Sequence, residues 1–379
     1  MIDRAARPID GRTEERWSSH DFPEHVGVSG ASCQAIAFQS LPVHDLVTIV
    51  REPVRKSSDA QTAVARLAAT SRALMDEVAK VIVGKRDVLE LVSVNFLAGG
   101  NILFEDFPGM AKTLMANTFA RAAGCDFGRV QFTPDVLPGD ITGASIYDQK
   151  SGEFKFRPGP VFTNVLLADE INRAPPKTQA ALLEAMQERQ VTIEGQTYKL
   201  PKPYIVMATQ NPAEQEGCYP LPEAQLDRFL MRLSVGYPSR QDESEILRRR
   251  IARGKDDSDV KTVANPEQIV AMQNAVELVH IDTSLVDYLS DIVCRTREHA
   301  DIYVGSSPRG SQAMLKASRA LAAMRGRTFV TPDDIKFLAP HVLSHRLILK
   351  PEARIRGVKA TSVVADVLAQ ATVPVLSRQ

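Results

Sequence analysis

One continuous stretch constrains this chain more than any other. It begins with the apolar run Asn101-Ile102-Leu103-Phe104. Asp106-Phe107-Pro108-Gly109-Met110-Ala111-Lys112-Thr113 follows, and Thr113 opens the helical stretch Leu114-Met115-Ala116-Asn117-Thr118-Phe119-Ala120. Strand, loop, Lys-Thr and helix is the order in which backbone N–H groups wrap a phosphate and a helix N-terminus faces it. The loop departs twice from G-x-x-x-x-G-K-[ST], because Asp106 and Ala111 stand where glycine is usual. Asp106 sits at the turn leaving the strand, where a left-handed backbone is expected, and Asp tolerates one better than most residues. Its carboxylate must turn away from any phosphate. Ala111 adds only a methyl, Gly109 is kept, and Pro108 stiffens the turn. On the octapeptide alone, a phosphate loop and an ordinary strand-to-helix turn both remain open.

A second element lies downstream. Val165-Leu166-Leu167-Ala168-Asp169-Glu170 is an apolar strand ending in two acids. Strand C-termini in an open parallel sheet are where ligands bind. An Asp there holds Mg²⁺, usually through water. The adjacent Glu orients or deprotonates a water for attack on a γ-phosphate. A third strand, Tyr204-Ile205-Val206-Met207-Ala208-Thr209, runs into Gln210-Asn211-Pro212. Asn211 at its tip suits a hydrogen bond to the γ-phosphate or the attacking water; alone, Asn-Pro would read as a turn.

With these residues the chain resembles the MoxR family of AAA+ ATPases. The resemblance rests on Val81-Ile82-Val83-Gly84, the loop from Glu105 to Thr113, and Gln131-Phe132-Thr133-Pro134-Asp135 through Gly139-Asp140-Ile141-Thr142-Gly143. It continues through Leu167 to Arg173, Gln179 to Glu188, Thr209 to Gly217, Pro220 to Phe229 and Ser307-Pro308-Arg309, spanning about residues 62 to 373. Cys218 departs from the family's usual Thr and Lys85 from its usual Gln; neither removes a catalytic group. In that family Asp at the first glycine position and Ala before the Lys are familiar variants.

The resemblance implies ATP and Mg²⁺ as cofactors and assigns roles by position. Asp106, Phe107, Pro108, Gly109, Met110, Ala111, Lys112, Thr113 and Leu114 form the nucleotide loop, with Lys112 on the β- and γ-phosphates. Thr113 and Asp169 serve the metal, Glu170 and Asn211 the attacking water. Val83 and Gly84 cover the adenine. Arg228 resembles an arginine finger delivered to a neighbouring subunit, and Arg309 a second sensor on the lid, acting in its own subunit or its neighbour's. The implied assembly is a ring, a hexamer, and the implied partner is a von Willebrand factor A domain protein. The client is not legible.

Residues 62–238 alternate helical and apolar strand patterns, which makes an α/β core, a parallel sheet flanked by helices. Two hairpins interrupt it: Ser145 to Phe156 around Lys150-Ser151-Gly152, and Gln190 to Tyr198 around Glu194-Gly195. They fall where the family carries inserts on its pore or partner face. Residues 239–379 read as a helical lid. Asn265-Pro266, Ser307-Pro308 and Thr331-Pro332 each place a cap before a first-turn proline, and Asp334 completes the third. Arg309 lies in a first helical turn, where a cation opposes the helix dipole, so it reads as placed for an anion. Residues 1–61 read as a largely disordered N-terminal extension, with isolated Trp17 and Phe22 and a short element at Leu46 to Val50.

The 46 basic and 46 acidic residues of this 379-residue chain give no bias toward nucleic acid. Cys33, Cys125, Cys218 and Cys294 lack metal-ligand spacing and read as reduced thiols. His341 and His345 are an i, i+4 pair without a third ligand, hence structural. No signal-length or membrane-spanning apolar run is present, and a cytoplasmic location is expected. Three functions remain: a ring ATPase remodelling a partner protein, which is favoured; a slow nucleotide-dependent binding module; and a DNA translocase, disfavoured for want of a basic, aromatic stripe.

Overall fold

Strands β1 (Ile102–Glu105), β2 (Phe127–Gln131), β3 (Gly143–Asp148), β4 (Glu153–Pro158), β5 (Val165–Asp169), β6 (Gln190–Ile193), β7 (Gln196–Lys199), β8 (Ile205–Gln210) and β9 (Met231–Leu233) belong to the α/β part. Helices α1 (Lys56–Ala79), α2 (Arg86–Leu97), α3 (Lys112–Ala122), α4 (Pro138–Thr142), α5 (Pro176–Glu188) and α6 (Glu223–Leu226) alternate with them. The computed structural model describes residues 56–211, 218–255 and 258–374. The readings for Trp17, Phe22, Cys33 and Leu46 to Val50, and the tail of the Thr209 to Gly217 motif, lie outside the described residues. Residues 56–61, read as part of the extension, belong to α1.

Five strands form one sheet in the order β2-β5-β8-β1-β9, every pair parallel. Alternation sorts their side chains onto two faces. Ile102, Phe104, Val165, Leu167, Ile205 and Met207 face one core, while Leu103, Leu166, Ala168, Val206 and Ala208 face the other. Both faces are therefore covered, which is why β1, β5 and β8 read as near-continuous apolar runs. Burying each large side chain fully contributes about 1.5–3 kcal/mol.

The two hairpins form as expected. β3 pairs with β4 and β6 with β7, both antiparallel, with Gly152 and Gly195 at positive φ in the turns. Phe156 of β4 stacks on Tyr198 of β7, ring centroids 4.2 Å apart, so the hairpins are tied together.

Beyond β9 come α7 (Arg240–Arg253), α8 (Pro266–Val276), α9 (Thr283–Glu298), α10 (Pro308–Met324), α11 (Pro332–Leu343), α12 (Pro351–Ile355) and α13 (Ala360–Gln370). The expected caps are in place. Asn265 Oδ1 accepts from Gln268 N at 2.8 Å, and Ser307 Oγ accepts from Arg309 N at 3.2 Å. Asp334 Oδ2 accepts from Thr331 N at 2.9 Å. Burial alone would raise the Asp334 carboxyl's pKa, but hydrogen bonds from Arg327 and Thr331 hold it below the usual range. One feature departs from the all-helical reading: β10 (Ile302–Val304) and β11 (Ile348–Leu349) pair antiparallel inside the lid. Both are short runs of β-branched, aliphatic and aromatic residues, too brief to read as strands without their partner. No helix among the described residues is long and apolar enough to cross a membrane.

Candidate functional site

The loop between β1 and α3 carries its backbone strain in an unexpected place. Left-handed conformation falls on Gly109 (φ 83) and on Ala111 (φ 56, ψ 20), not on Asp106. For a non-glycine residue this costs roughly 1–2 kcal/mol. The helix begins at Lys112, one residue earlier than expected. Asp106 turns its carboxylate away from the loop interior, as its charge requires. It accepts from Ser234 Oγ at 2.7 Å, from Gly236 N at 3.2 Å and from Val235 N. Asp106 thus anchors the loop to the end of β9.

Lys112 folds over the loop. Its Nζ donates to Asp106 O at 2.8 Å and Phe107 O at 3.1 Å. Burial lowers its pKa, while Asp106, Asp169 and Glu170 pull it back up.

A cavity of about 400 Å³ opens at the C-terminal ends of β1, β5 and β8. It brings together Lys112, Thr113, Asp169, Glu170 and Asn211, and Asp106, Pro108, Gly109, Met110, Ala111 and Leu114 also line it. Phe107 does not; it is half exposed and stacks on Tyr237 at 6.4 Å. A second cavity, of about 240 Å³, adjoins the loop and is mostly apolar, lined by Val81, Val83, Met110, Leu114, Val235 and Ile246 among others. It suits a flat heteroaromatic base. Gly84 stays outside this lining. Its φ is 72, and a Cβ there would strike the Asp242 carboxylate in the first turn of α7.

The two acids sit in a network that sequence reasoning missed. Glu170 itself has left-handed backbone, φ 57 and ψ 49, strain of the kind that gathers at functional positions. Its N–H donates to Thr209 Oγ1 at 2.8 Å, and that hydroxyl donates to Asp169 Oδ1 at 2.7 Å. Asp169 Oδ2 accepts from Arg129 Nη2 at 2.8 Å. Glu170 Oε2 accepts from Gln131 Nε2 at 2.8 Å and from Arg173 Nη1 at 2.9 Å. Arg129 also donates to Gln131 Oε1 at 2.8 Å. Arg129 and Gln131 are two apart on β2 and so share a face. The signal was a polar pair at alternate positions on a strand next to β5, but only the sheet order makes that strand a neighbour.

Arg228 and Arg309 are not in this cavity. Both line a separate one, with Asn101, Met186, Gln312 and Lys316. Asn101 precedes β1 whereas Lys112 follows it. The arginines therefore lie at the opposite end of a four-residue strand, about 13 Å long. Arg228 Nη1 donates to Leu183 O at 3.1 Å.

His345 is buried, with Nε2 3.1 Å from Phe229 O. Among the described residues no cluster of His, Cys, Asp and Glu could hold a metal ion. Cys125, Cys218 and Cys294 are unpaired thiols.

Comparison with known proteins bears on this arrangement. Residues 101–231 match the profile of the ATPase family associated with various cellular activities (AAA), and residues 294–376 match the AAA lid domain. YeaC of Bacillus subtilis (strain 168) is 48% identical over 301 residues, covering 79% of this chain and 94% of that protein. Chaperone MoxR1 of Mycobacterium tuberculosis is 44% identical over 307 residues, covering 79% and 81%. The chain belongs to the MoxR family of AAA+ ATPases. Protein MoxR of Paracoccus denitrificans is more distant, at 30% identity over 78% of this chain and 93% of that protein. The MoxR-type fold also matches a crystal structure from Cytophaga hutchinsonii with a TM-score of 0.79 at 39% identity, covering 84% of this chain and 98% of that one.

Proposed function

We propose that this chain hydrolyses MgATP as a subunit of a ring, most simply a hexamer, and uses the cycle to remodel or mature a partner protein. The carrying observation is the division of the site. Lys112, Thr113, Asp169, Glu170 and Asn211 share one cavity, while Arg228 and Arg309 share another beyond the far end of β1. Cations placed so far from their own phosphate loop suit a neighbour's nucleotide. In this reading both arginines act in trans.

The donor set fits the metal: the Thr113 hydroxyl and the Asp169 carboxylate are hard oxygen ligands facing one cavity. A Mg²⁺ ion held by Thr113 and Asp169 would supply charge neutralisation for the phosphates of ATP. Lys112 exchanges its two loop carbonyls for phosphate oxygens. Glu170, its backbone fixed by Thr209, orients and deprotonates the attacking water, and Asn211 helps hold it. The neighbour's Arg228 meets the charge that develops on the transferring phosphoryl group, worth roughly 10³–10⁵ in rate in other phosphoryl-transfer systems.

Residues 62–238 act here as the nucleotide-binding domain and residues 239–379 as the lid. The relative's name, Chaperone MoxR1, supports a protein-remodelling role. The family resemblance points to a von Willebrand factor A domain partner, met by exposed hairpin aromatics such as Tyr147 and Phe154. A cytoplasmic location, where ATP and reduced thiols coexist, suits this role.

Mixing variants tests the reading. Arg228→Ala and Glu170→Gln subunits are each expected to be nearly inactive alone. Co-assembled, they recover turnover where an intact Glu170 faces an intact Arg228. Absence of recovery in proven mixed rings would refute delivery in trans.

A further inference from the structure

The segments that carry the two arginines are joined by a part-buried polar knot. Asp227, next to Arg228, is its centre. Asp227 Oδ2 accepts from Ser307 Oγ at 2.9 Å, and the same Ser307 hydroxyl accepts from the backbone N–H of Arg309 at 3.2 Å. Two hydrogen bonds therefore connect the residue before Arg228 to the backbone of Arg309, across 80 residues of sequence.

From the other side, Arg346 grips the same segment. Its Nε donates to Asp227 Oδ1 at 2.9 Å, and its Nη2 to Asp227 O at 3.3 Å and Phe229 O at 2.6 Å. Its Nη1 donates to Leu230 O at 3.2 Å and to Val342 O. The Arg346 side chain is 3% exposed and that of Asp227 17%. Burial pushes the Arg346 pKa down to about 10, with Asp227 opposing the fall, so it stays charged at neutral pH. Truncating one partner of such a pair leaves a buried charge uncompensated, which is strongly destabilising.

This knot is more than an N-cap. A capping serine needs only its acceptor lone pair. Here its hydroxyl proton is also used, and the acceptor belongs to the segment carrying the proposed finger. Asp227 and Arg346 form an ion pair in the lining of the cavity, so its remaining cations, Arg228, Arg309 and Lys316, leave it net positive.

We infer that Asp227 and Ser307 are positioning residues that lock Arg228 and Arg309 into one unit across the boundary between sheet and lid, so that both arginines are presented together to a neighbour's nucleotide. The inference rests on the trans reading above. It makes turnover sensitive to a hydroxyl that touches no nucleotide. A misplacement of about 1 Å in such a group costs up to roughly 10² in rate.

The test uses the full chain with MgATP. Ser307→Ala is expected to lower kcat about tenfold in assembled rings, while nucleotide affinity at the subunit's own loop is unchanged. Ser307→Thr, which keeps the cap and the hydroxyl, restores kcat. Full turnover in Ser307→Ala rings would overturn the coupling. Mixed rings locate the defect. Ser307→Ala with Glu170→Gln should exceed the activity of either alone, because intact arginines then face intact acids. The Arg228→Ala and Glu170→Gln mixture runs beside it. Recovery in that mixture but not with Ser307→Ala overturns the coupling alone. Recovery in neither overturns the trans reading and the coupling with it. Asp227→Asn, which keeps the shape and weakens the Arg346 pair, should reproduce the kcat loss and the complementation.

Discussion

At the scale of residues, the loop holds an alanine in a glycine's conformation. Ala111 sits at φ 56 just before Lys112. Ala111→Gly should therefore raise stability by about 1 kcal/mol in denaturant titration, because glycine adopts that backbone without the Cβ penalty. A lower midpoint would show that the methyl packs usefully. Arg129 poses a different question. It occupies Asp169 Oδ2, the carboxylate that the proposed function gives to the metal. The pair is half exposed on the arginine side, so its own energy is small. Its effect on the metal is competitive. Arg129→Ala should lower the Mg²⁺ concentration needed for tight nucleotide binding by several-fold, about tenfold at most. Calorimetric titrations of ATP at stepped Mg²⁺ concentrations would read this, and an unchanged requirement would mean that Arg129 stays on Asp169 throughout.

At the scale of elements, the two hairpins behave as one. Phe156 stacks on Tyr198 at 4.2 Å and meets Phe162 at 5.5 Å. An aromatic pair of this kind is worth about 0.5–1.5 kcal/mol beyond its buried area. Phe156→Ala should speed amide hydrogen exchange in both β3–β4 and β6–β7, since each braces the other. Nucleotide affinity should not change, because the phosphate cavity is built on different strands. Faster exchange confined to β3–β4 would show that the stacking contributes nothing to the second hairpin.

At the scale of the full chain, the lid and the sheet are joined by groups that must stay uncharged or paired. His345 lies against Phe229 and Arg346. Burial, with Arg346 beside it, holds its pKa well below 6.5, and burial also lowers that of His341. Folded values below the unfolded one mean that the unfolded chain takes up protons first. Stability is then whole above about pH 6.5 and is lost as pH falls from there toward the folded values, by up to about 1.4 kcal/mol per pH unit for each histidine. Denaturant midpoints at about pH 7.5 and about pH 5.5 should show this fall, and His345→Gln should flatten it. An equal slope in the variant would assign the loss to other groups.

What is local in this protein could be read from the order of its residues. Apolar runs marked β1, β5 and β8, and turn residues with alternation marked the two hairpins; the short strands β2 and β9 carry no such run. Cap chemistry, which acts within four residues, placed the starts of α8, α10 and α11. Lys112, Thr113, Asp169, Glu170 and Asn211 were legible because each stands at a strand tip or loop that its neighbours in sequence define. Tertiary structure settled the rest, through contacts whose partners lie far apart in the chain. Ser234 to Gly236 hold the Asp106 carboxylate, so the strained backbone moves to Ala111. The pairing of β2 with β5 lays Arg129 and Gln131 against the acids. Docking of the lid brings Arg309 beside Arg228, with Asp227, Ser307 and Arg346 fastening the two. Register and docking arise from the packing of whole faces, and no short window of sequence contains that information.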